Sequence, residues 1–272
     1  MSDAVGSPAG DGPRPWVLAE STWRETRDRP TDVAVLPWGA TEPHNLHLPY
    51  GTDTLLAEHV ASESARRAWA LGARPVVLPA VPFGVQTTQL DLRLCLNVTP
   101  SAQLALLGDL AASLAGQGVR KLVILNAHGG NDFRPLVREL APRAYAGGAR
   151  LFVCVVNWWQ VVPAAGHFDD PGDHAGELET SALLHARPGL VRPLGEAGPG
   201  RERPALLRGM RERWAWAPRP WSQVTDDTGV GDPRAATAEK GARFVGAACA
   251  AVGEFLAELE AADPGALYER LE

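Results

Sequence analysis

Lysine is nearly absent from this chain: of 26 basic side chains only Lys121 and Lys240 are lysine, the rest being arginine. Beside the abundant alanine this reads as codon bias and carries no function. Positive charge is not in excess either. The net charge of −6 removes the basic footprint of a protein that grips phosphate backbones, so nucleic acid is not an expected partner. Cysteine is scarce. Cys95, Cys154 and Cys249 are odd in number, far apart and set among apolar residues, which suits buried thiols in a reducing compartment and not a disulfide framework. The cytoplasm is the expected location. No apolar run approaches the ~18 residues of a membrane span, and no membrane partner is expected. Residues 1–15, rich in Gly, Pro and Asp, offer neither a basic start nor an apolar signal core. They are expected to form a disordered tail ahead of a single domain over residues 16–272.

What is present is the profile of a folded protein: 272 residues, 45% apolar and 21% charged, with 28 Gly and 23 Pro. At this length roughly 70–75% of the unfolded surface can be buried, so no structural metal is needed to complete a core. Any metal would therefore point to chemistry.

Apolar runs bounded by Gly or Pro alternate with longer segments of helical period, which predicts βαβ units, a mainly parallel sheet and an α/β fold class. Strands are expected at 32–38, 74–81, 121–126 and 150–157. Helices are expected at 53–71 with Thr52 as N-cap, and at 101–115, 133–145, 177–185 and 234–261. The stretch 188–233 is aperiodic and rich in Arg, Pro and Trp, and so long a loop reads as a lid or an oligomer contact. In open parallel sheets, ligands bind at the carboxyl ends of the strands, so the strand–helix junctions are where chemistry is expected.

Three junctions are rich in chemistry. After the first strand the chain reads Gly39-Ala-Thr-Glu42-Pro-His44-Asn-Leu-His47-Leu-Pro-Tyr-Gly-Thr-Asp53. In extended backbone, residues i and i+2 point the same way, so Glu42 and His44 converge, and Asp53 returns to the same point from the next helix. Two carboxylates and an imidazole suit a divalent ion such as zinc, manganese or iron; an N-cap Asp, a surface Glu and two hydrogen-bonded histidines explain the segment equally well. After the third strand comes Asn126-Ala-His128-Gly129-Gly130-Asn131, whose glycines let the backbone pass close to a ligand. A tight turn is the plain alternative, and the spacing of a phosphate-binding loop is absent. The third cluster is Asp173-His174-Ala-Gly176-Glu177-Leu-Glu179-Thr180-Ser181. His174 is a candidate general acid–base, although acids at a helix start also answer the helix dipole. Trp158 and Trp159 directly follow the fourth strand and are expected to line a substrate pocket with the loop 83–97.

In this order the segments resemble the creatininase family, the creatinine amidohydrolase-like proteins. Thr41–Asp53, Asn126–Asn131 and His174–Ser181 are similar to its TEQHGPHLPxxTD, N-G/A-H-G-G-N and H-A-G-x-x-E-T-S segments, and Thr228–Gly241 resembles its C-terminal GDPxxAT…KG segment. The resemblance implies a three-layer α/β/α domain and a site for two divalent metal ions, zinc, manganese or iron. It implies Glu42, His44, Asp53 and His128 as metal ligands, with Asp53 bridging. It further implies a hydrolase in which a metal-bridging hydroxide cleaves the C–N bond of a small amide, cyclic ones included, with His174 as proton donor. Some relatives trim a modified peptide instead, and a non-catalytic scaffold of the same fold is the remaining alternative. The family's closed assemblies imply a homo-oligomer, with a hexamer as the candidate state, partly buried through the Trp-bearing segment 213–221. Gly130 departs from creatininase proper, which carries a glutamate ligand there, and the first segment reads Pro-His-Asn-Leu-His where the family has QHGPH. Glu179, in the family's E-T-S position, is the candidate replacement ligand and a candidate catalytic residue. Gly129 and Gly130 join Trp158 and Trp159 as candidate substrate contacts.

Overall fold

A computed structural model describes residues 12–146 and 151–269. Four parallel strands, β1 (Val33–Trp38), β2 (Val76–Val77), β3 (Lys121–Asn126) and β4 (Phe152–Asn157), form one sheet in the order β2-β1-β3-β4. Side-chain alternation along the strands sorts the core into two layers. Val33 and Val35 of β1, with Val123 and Leu125 of β3, pack against helices α1 (Thr52–Ala70), α4 (Glu177–Ala186) and α5 (Ala238–Ala261). Ala34, Leu36 and Trp38, with Leu122 and Ile124, face α2 (Pro100–Gly116) and α3 (Phe133–Ala146) on the other side. The expected three-layer α/β/α arrangement with a parallel sheet is therefore present.

The strand order has a consequence for function. From β1 the chain moves outward to β2, then crosses back to place β3 on the other flank of β1. The carboxyl ends of β1 and β3 thus flank the topological switch point, the crevice in which open α/β sheets bind ligands.

Several boundaries differ from expectation for identifiable reasons. The strand expected over 74–81 shrinks to Val76–Val77, because Pro75, Pro79 and Pro82 interrupt the ladder with residues that lack an N–H. The N-terminal segment adds to this edge through a bridge between Val17 and Val77. Thr52 is the first helical residue and not the N-cap; that position falls to Gly51, and the Thr52 hydroxyl donates to Pro49 O instead. The helix expected from residue 234 starts at Ala238, where Thr237 caps it by accepting from the Lys240 N–H; Pro233–Ala235 is a separate 3-10 turn. Of the tail expected over 1–15, residues 1–11 lie outside the described residues, whereas the Arg14 side chain is held by Glu20 and Ser62. Among the described residues no helix is long and apolar enough to cross a membrane.

Both lysines sit in compact cation sites. Lys121 Nζ, fully buried, donates to Asp32 Oδ2 at 2.7 Å and to the Glu260 carbonyl at 2.9 Å. Lys240 Nζ is paired with Glu177 and donates to the Ala235 carbonyl at 3.1 Å. Each anchors an end of α5 to the rest of the domain.

Where α1 meets α4, His59 and His185 approach edge to face at 5.5 Å, and His59 Nε2 is buried without a hydrogen-bond partner. Burial, with His185, Arg187 and Arg14 adding positive charge against Glu63, pushes the His59 pKa down to about 4. A histidine whose folded pKa lies below its unfolded value contributes stability above pH ~6.5, lost as the pH falls toward 4. Chemical denaturation is therefore expected to show a loss on the order of 1–2 kcal/mol between pH 7 and pH 5. His59→Phe should flatten that slope, and an unchanged slope would show that His59 does not carry it.

Candidate metal centre

The centre assembles from four places in the chain. Glu42 and His44 follow β1, Asp53 opens α1, His128 follows β3, and Glu179 lies in the first turn of α4 with His174 just ahead of it. Asn126, the last residue of β3, shapes the turn that presents His128: its side-chain amide donates to the His128 carbonyl while its Oδ1 accepts the His128 N–H. Glu42, His44, Asp53, His128 and His174 are all buried.

The ligand atoms fall into overlapping groups, each spanning no more than 4.8 Å: Glu42, Asp53 and His128; His44, Asp53 and Glu179; and Glu42, His44 and His174. The first two groups share only Asp53, whose oxygens divide between them. Oδ1 lies 3.1 Å from His44 Nε2 and Oδ2 lies 3.1 Å from His128 Nδ1. Glu42 Oε1 sits 2.8 Å from His128 Nδ1, 3.9 Å from His44 Nε2 and 3.8 Å from His174 Nδ1.

Whether these residues suit a metal can be tested on their hydrogen bonds. Each histidine spends one nitrogen on a backbone carbonyl: His44 Nδ1 on Glu42 O at 3.0 Å, His128 Nε2 on Val85 O at 3.1 Å, and His174 Nε2 on Pro43 O at 2.9 Å. A carbonyl can only accept, so each of those nitrogens carries the proton. A neutral imidazole so held turns its other lone pair onto the carboxylates. Acceptor then faces acceptor, and only a proton or a cation between them relieves the repulsion. Asp53 Oδ2 also receives no aligned hydrogen bond despite its burial. The electrostatics agree: burial opposes the charged form of His44, yet Asp53, Glu42 and Glu179 raise its pKa to about 10, and His128 is raised for the same reason by Glu42 and Asp53. Imidazole nitrogens beside carboxylate oxygens, fixed by outer hydrogen bonds, are a donor set for zinc, manganese or iron. The residues fit such ions.

The remaining expected site residues separate. Glu177 faces away from the centre; it pairs with Lys240 and accepts the N–H groups of Asp169 at 3.0 Å and Asp170 at 3.1 Å. Trp158 is not brought to the mouth: it is 1% exposed and packs edge-on against Phe244 in the core. Trp159 and Gly129 do line a cleft of about 580 Å³ beside the ends of β3 and β4. Gly130 serves a steric purpose, because a Cβ there would fall on His128 Nε2 and Val85 O, the two atoms of the bond that orients the imidazole.

Three contacts have no counterpart in the sequence reading. Gln89 Nε2 donates to Glu42 Oε2, the His47 ring bonds Thr180 Oγ1 at 2.8 Å, and Trp221 packs edge-on to the His174 ring at 5.4 Å. Trp221 is buried, and the exposed indoles of the segment 213–221 are Trp214 and Trp216.

A parallel α/β sheet carrying two ligand groups that share one aspartate at its switch point defines a class of metal-dependent hydrolase. The chain belongs to the creatininase family: the family model for creatinine amidohydrolase matches residues 19–256. It is 33% identical over 220 residues to the mycofactocin precursor peptide peptidase of Mycobacterium tuberculosis, covering 78% of this chain and 80% of that protein. It is 30% identical over 202 residues to the creatinine amidohydrolase of Pseudomonas putida, covering 64% and 73%. A solved Bacteroides fragilis protein, provisionally named a creatinine amidohydrolase, superposes with a TM-score of 0.88 at 42% identity, covering 94% of this chain and 99% of that one. A manganese form of creatininase shares the fold at a TM-score of 0.73 and 22% identity, covering 90% of this chain and 98% of that one.

Proposed function

We propose that the centre hydrolyses the amide C–N bond of a small molecule, cyclic amides included, with two divalent ions bound. The sharing of Asp53 between two ligand groups carries this reading. Such ions supply Lewis acidity toward a carbonyl oxygen and lower the pKa of water to near neutrality. Glu42 and His128 would hold one ion and His44 and Glu179 the other, with Asp53 common to both groups. Three carboxylates and the attacking hydroxide would balance two divalent cations, so the centre would accept an oxyanion developing on the substrate without an excess of negative charge already in place. His174, its Nε2–H fixed on the Pro43 carbonyl, would collect at Nδ1 the proton released by the attacking water and pass it to the leaving nitrogen. Trp159 and Gly129 line a cleft beside the ends of β3 and β4, next to the turn that carries His128.

A second reading, trimming of a peptide, is favoured by the 33% identity to a precursor peptide peptidase. One panel separates the two. Protein stripped with chelator and reloaded with zinc or manganese is offered cyclic amides, formamides and short linear peptides. Turnover of the small amides only, abolished by chelator and restored by metal, is the expected result; cleavage of linear peptides would select the second reading. Full activity in the stripped protein would overturn both.

A further inference from the structure

We infer that the loop 83–97 controls one of the two ion positions, that of Glu42, Asp53 and His128, independently of the other, with Gln89 as its positioning residue. The inference rests on the two-ion reading above.

The two ligands that belong to this position and not to the His44–Asp53–Glu179 group are both held by that loop. Glu42 turns Oε1 toward the imidazoles, and its Oε2 is taken by Gln89 Nε2 from 47 positions further along the chain. The Gln89 amide is buried, and its orientation is consistent at both ends: Oε1 faces the Cys95 thiol at 3.9 Å while Nε2 faces Glu42. His128 is set by the Val85 carbonyl through Nε2. The loop is itself braced, since the Val85 N–H donates to Asn131 Oδ1 at 3.0 Å and the Gln86 N–H to Asn97 Oδ1 at 2.6 Å. The other position draws nothing from it. His44 is oriented by the Glu42 carbonyl, and Glu179 Oε2 accepts the Ala175 N–H at 2.5 Å.

An uncharged amide suits this task. It fixes one carboxylate oxygen so that the other points at the ion position, without spending the negative charge that an arginine or lysine would neutralise. Outer partners of metal ligands govern affinity because they hold the ligand in one orientation and satisfy its buried lone pairs.

The test is a two-site titration of the metal-free protein with zinc, by competition against a chromophoric chelator, in four forms: wild type, Gln89→Met, Glu179→Gln and the double variant. Gln89→Met keeps the length and volume and removes the donor. It is expected to weaken one site by about ten- to hundredfold, leave the other within about twofold, and lower the thermal midpoint of the metal-free protein by only a few degrees, as one unpaired buried oxygen does. Glu179→Gln should remove the site that Gln89→Met spares, so the double variant retains only weak binding. Gln89→Ala supplies the same comparison if the methionine variant does not fold. Equal weakening of both sites, or no weakening of either, overturns the inference. A wild type that takes up fewer than two ions overturns the two-ion reading instead, a result visible before any variant is compared.

Discussion

Asp53→Asn is expected to empty both ion positions at once and to lower kcat/KM by about a thousandfold or more, roughly 4 kcal/mol of transition-state stabilisation. Its two oxygens serve different groups, Oδ1 toward His44 and Oδ2 toward His128. An asparagine keeps the shape but puts an NH2 group against one of the two imidazole lone pairs, replacing a charged ligand by a hydrogen-bond donor. The variant is therefore expected to fold with an intact site geometry and no ions in it. Elemental analysis after reconstitution with zinc and manganese, alongside kcat/KM on the best substrate from the panel, checks this. Two ions retained per chain would remove Asp53 from its bridging role. Glu42→Gln provides the contrast, since it belongs to only one of the two groups that Asp53 joins and should cost one ion.

The second large effect separates two acids that stand two residues apart. Successive helical residues turn by about 100°, so Glu177 and Glu179 point some 200° apart and cannot both face the centre. Glu179 groups with His44 and Asp53. Glu177, 1% exposed, is engaged by Lys240 and by the backbone N–H groups of Asp169 and Asp170. Glu179→Gln should lower the metal content to one ion per chain with little change in the unfolding midpoint of the metal-free protein. Glu177→Gln should do the reverse, keeping both ions while lowering that midpoint by roughly 5 °C or more, because breaking one half of a buried pair leaves the rest of the network uncompensated. Calorimetry with metal analysis on both variants checks the pair. A Glu177 variant that loses an ion and keeps its stability would exchange the two assignments.

The legible parts of this molecule were those with a period or a strict order. The continuous apolar run of β1 announces a strand buried on both faces, and β3 occupies the residues that its apolar run predicts. The convergence of Glu42, His44, Asp53 and His128 was legible because each stands at a strand or helix end, on the carboxyl edge of a parallel sheet. The illegible parts depend on how the chain turns once a strand has ended. Trp158 and Trp159 are adjacent, and nothing in their sequence shows that the 3-10 turn after β4 sends one into the core and the other to the cleft. Gln89 lies in an aperiodic loop, so its bond to Glu42 is set by tertiary path alone. The Glu177–Lys240 pair needs the relative placement of two helices separated by the long aperiodic segment.

The use of lysine, first met as scarcity, sets the chemical accessibility of the folded surface. Reagents that acylate or cross-link side-chain amines have two targets in the whole chain, Lys121 at the base of the sheet and Lys240 beside the support of α4. Both amines are already occupied as hydrogen-bond donors, and Lys121 has no exposed surface. An amine can react there only after its pair has opened, so the two labelling rates act as separate clocks for local opening. One reads the end of α5 fastened to the sheet, the other the end fastened next to the metal centre. A protein richer in lysine would bury those two signals under the background of its surface.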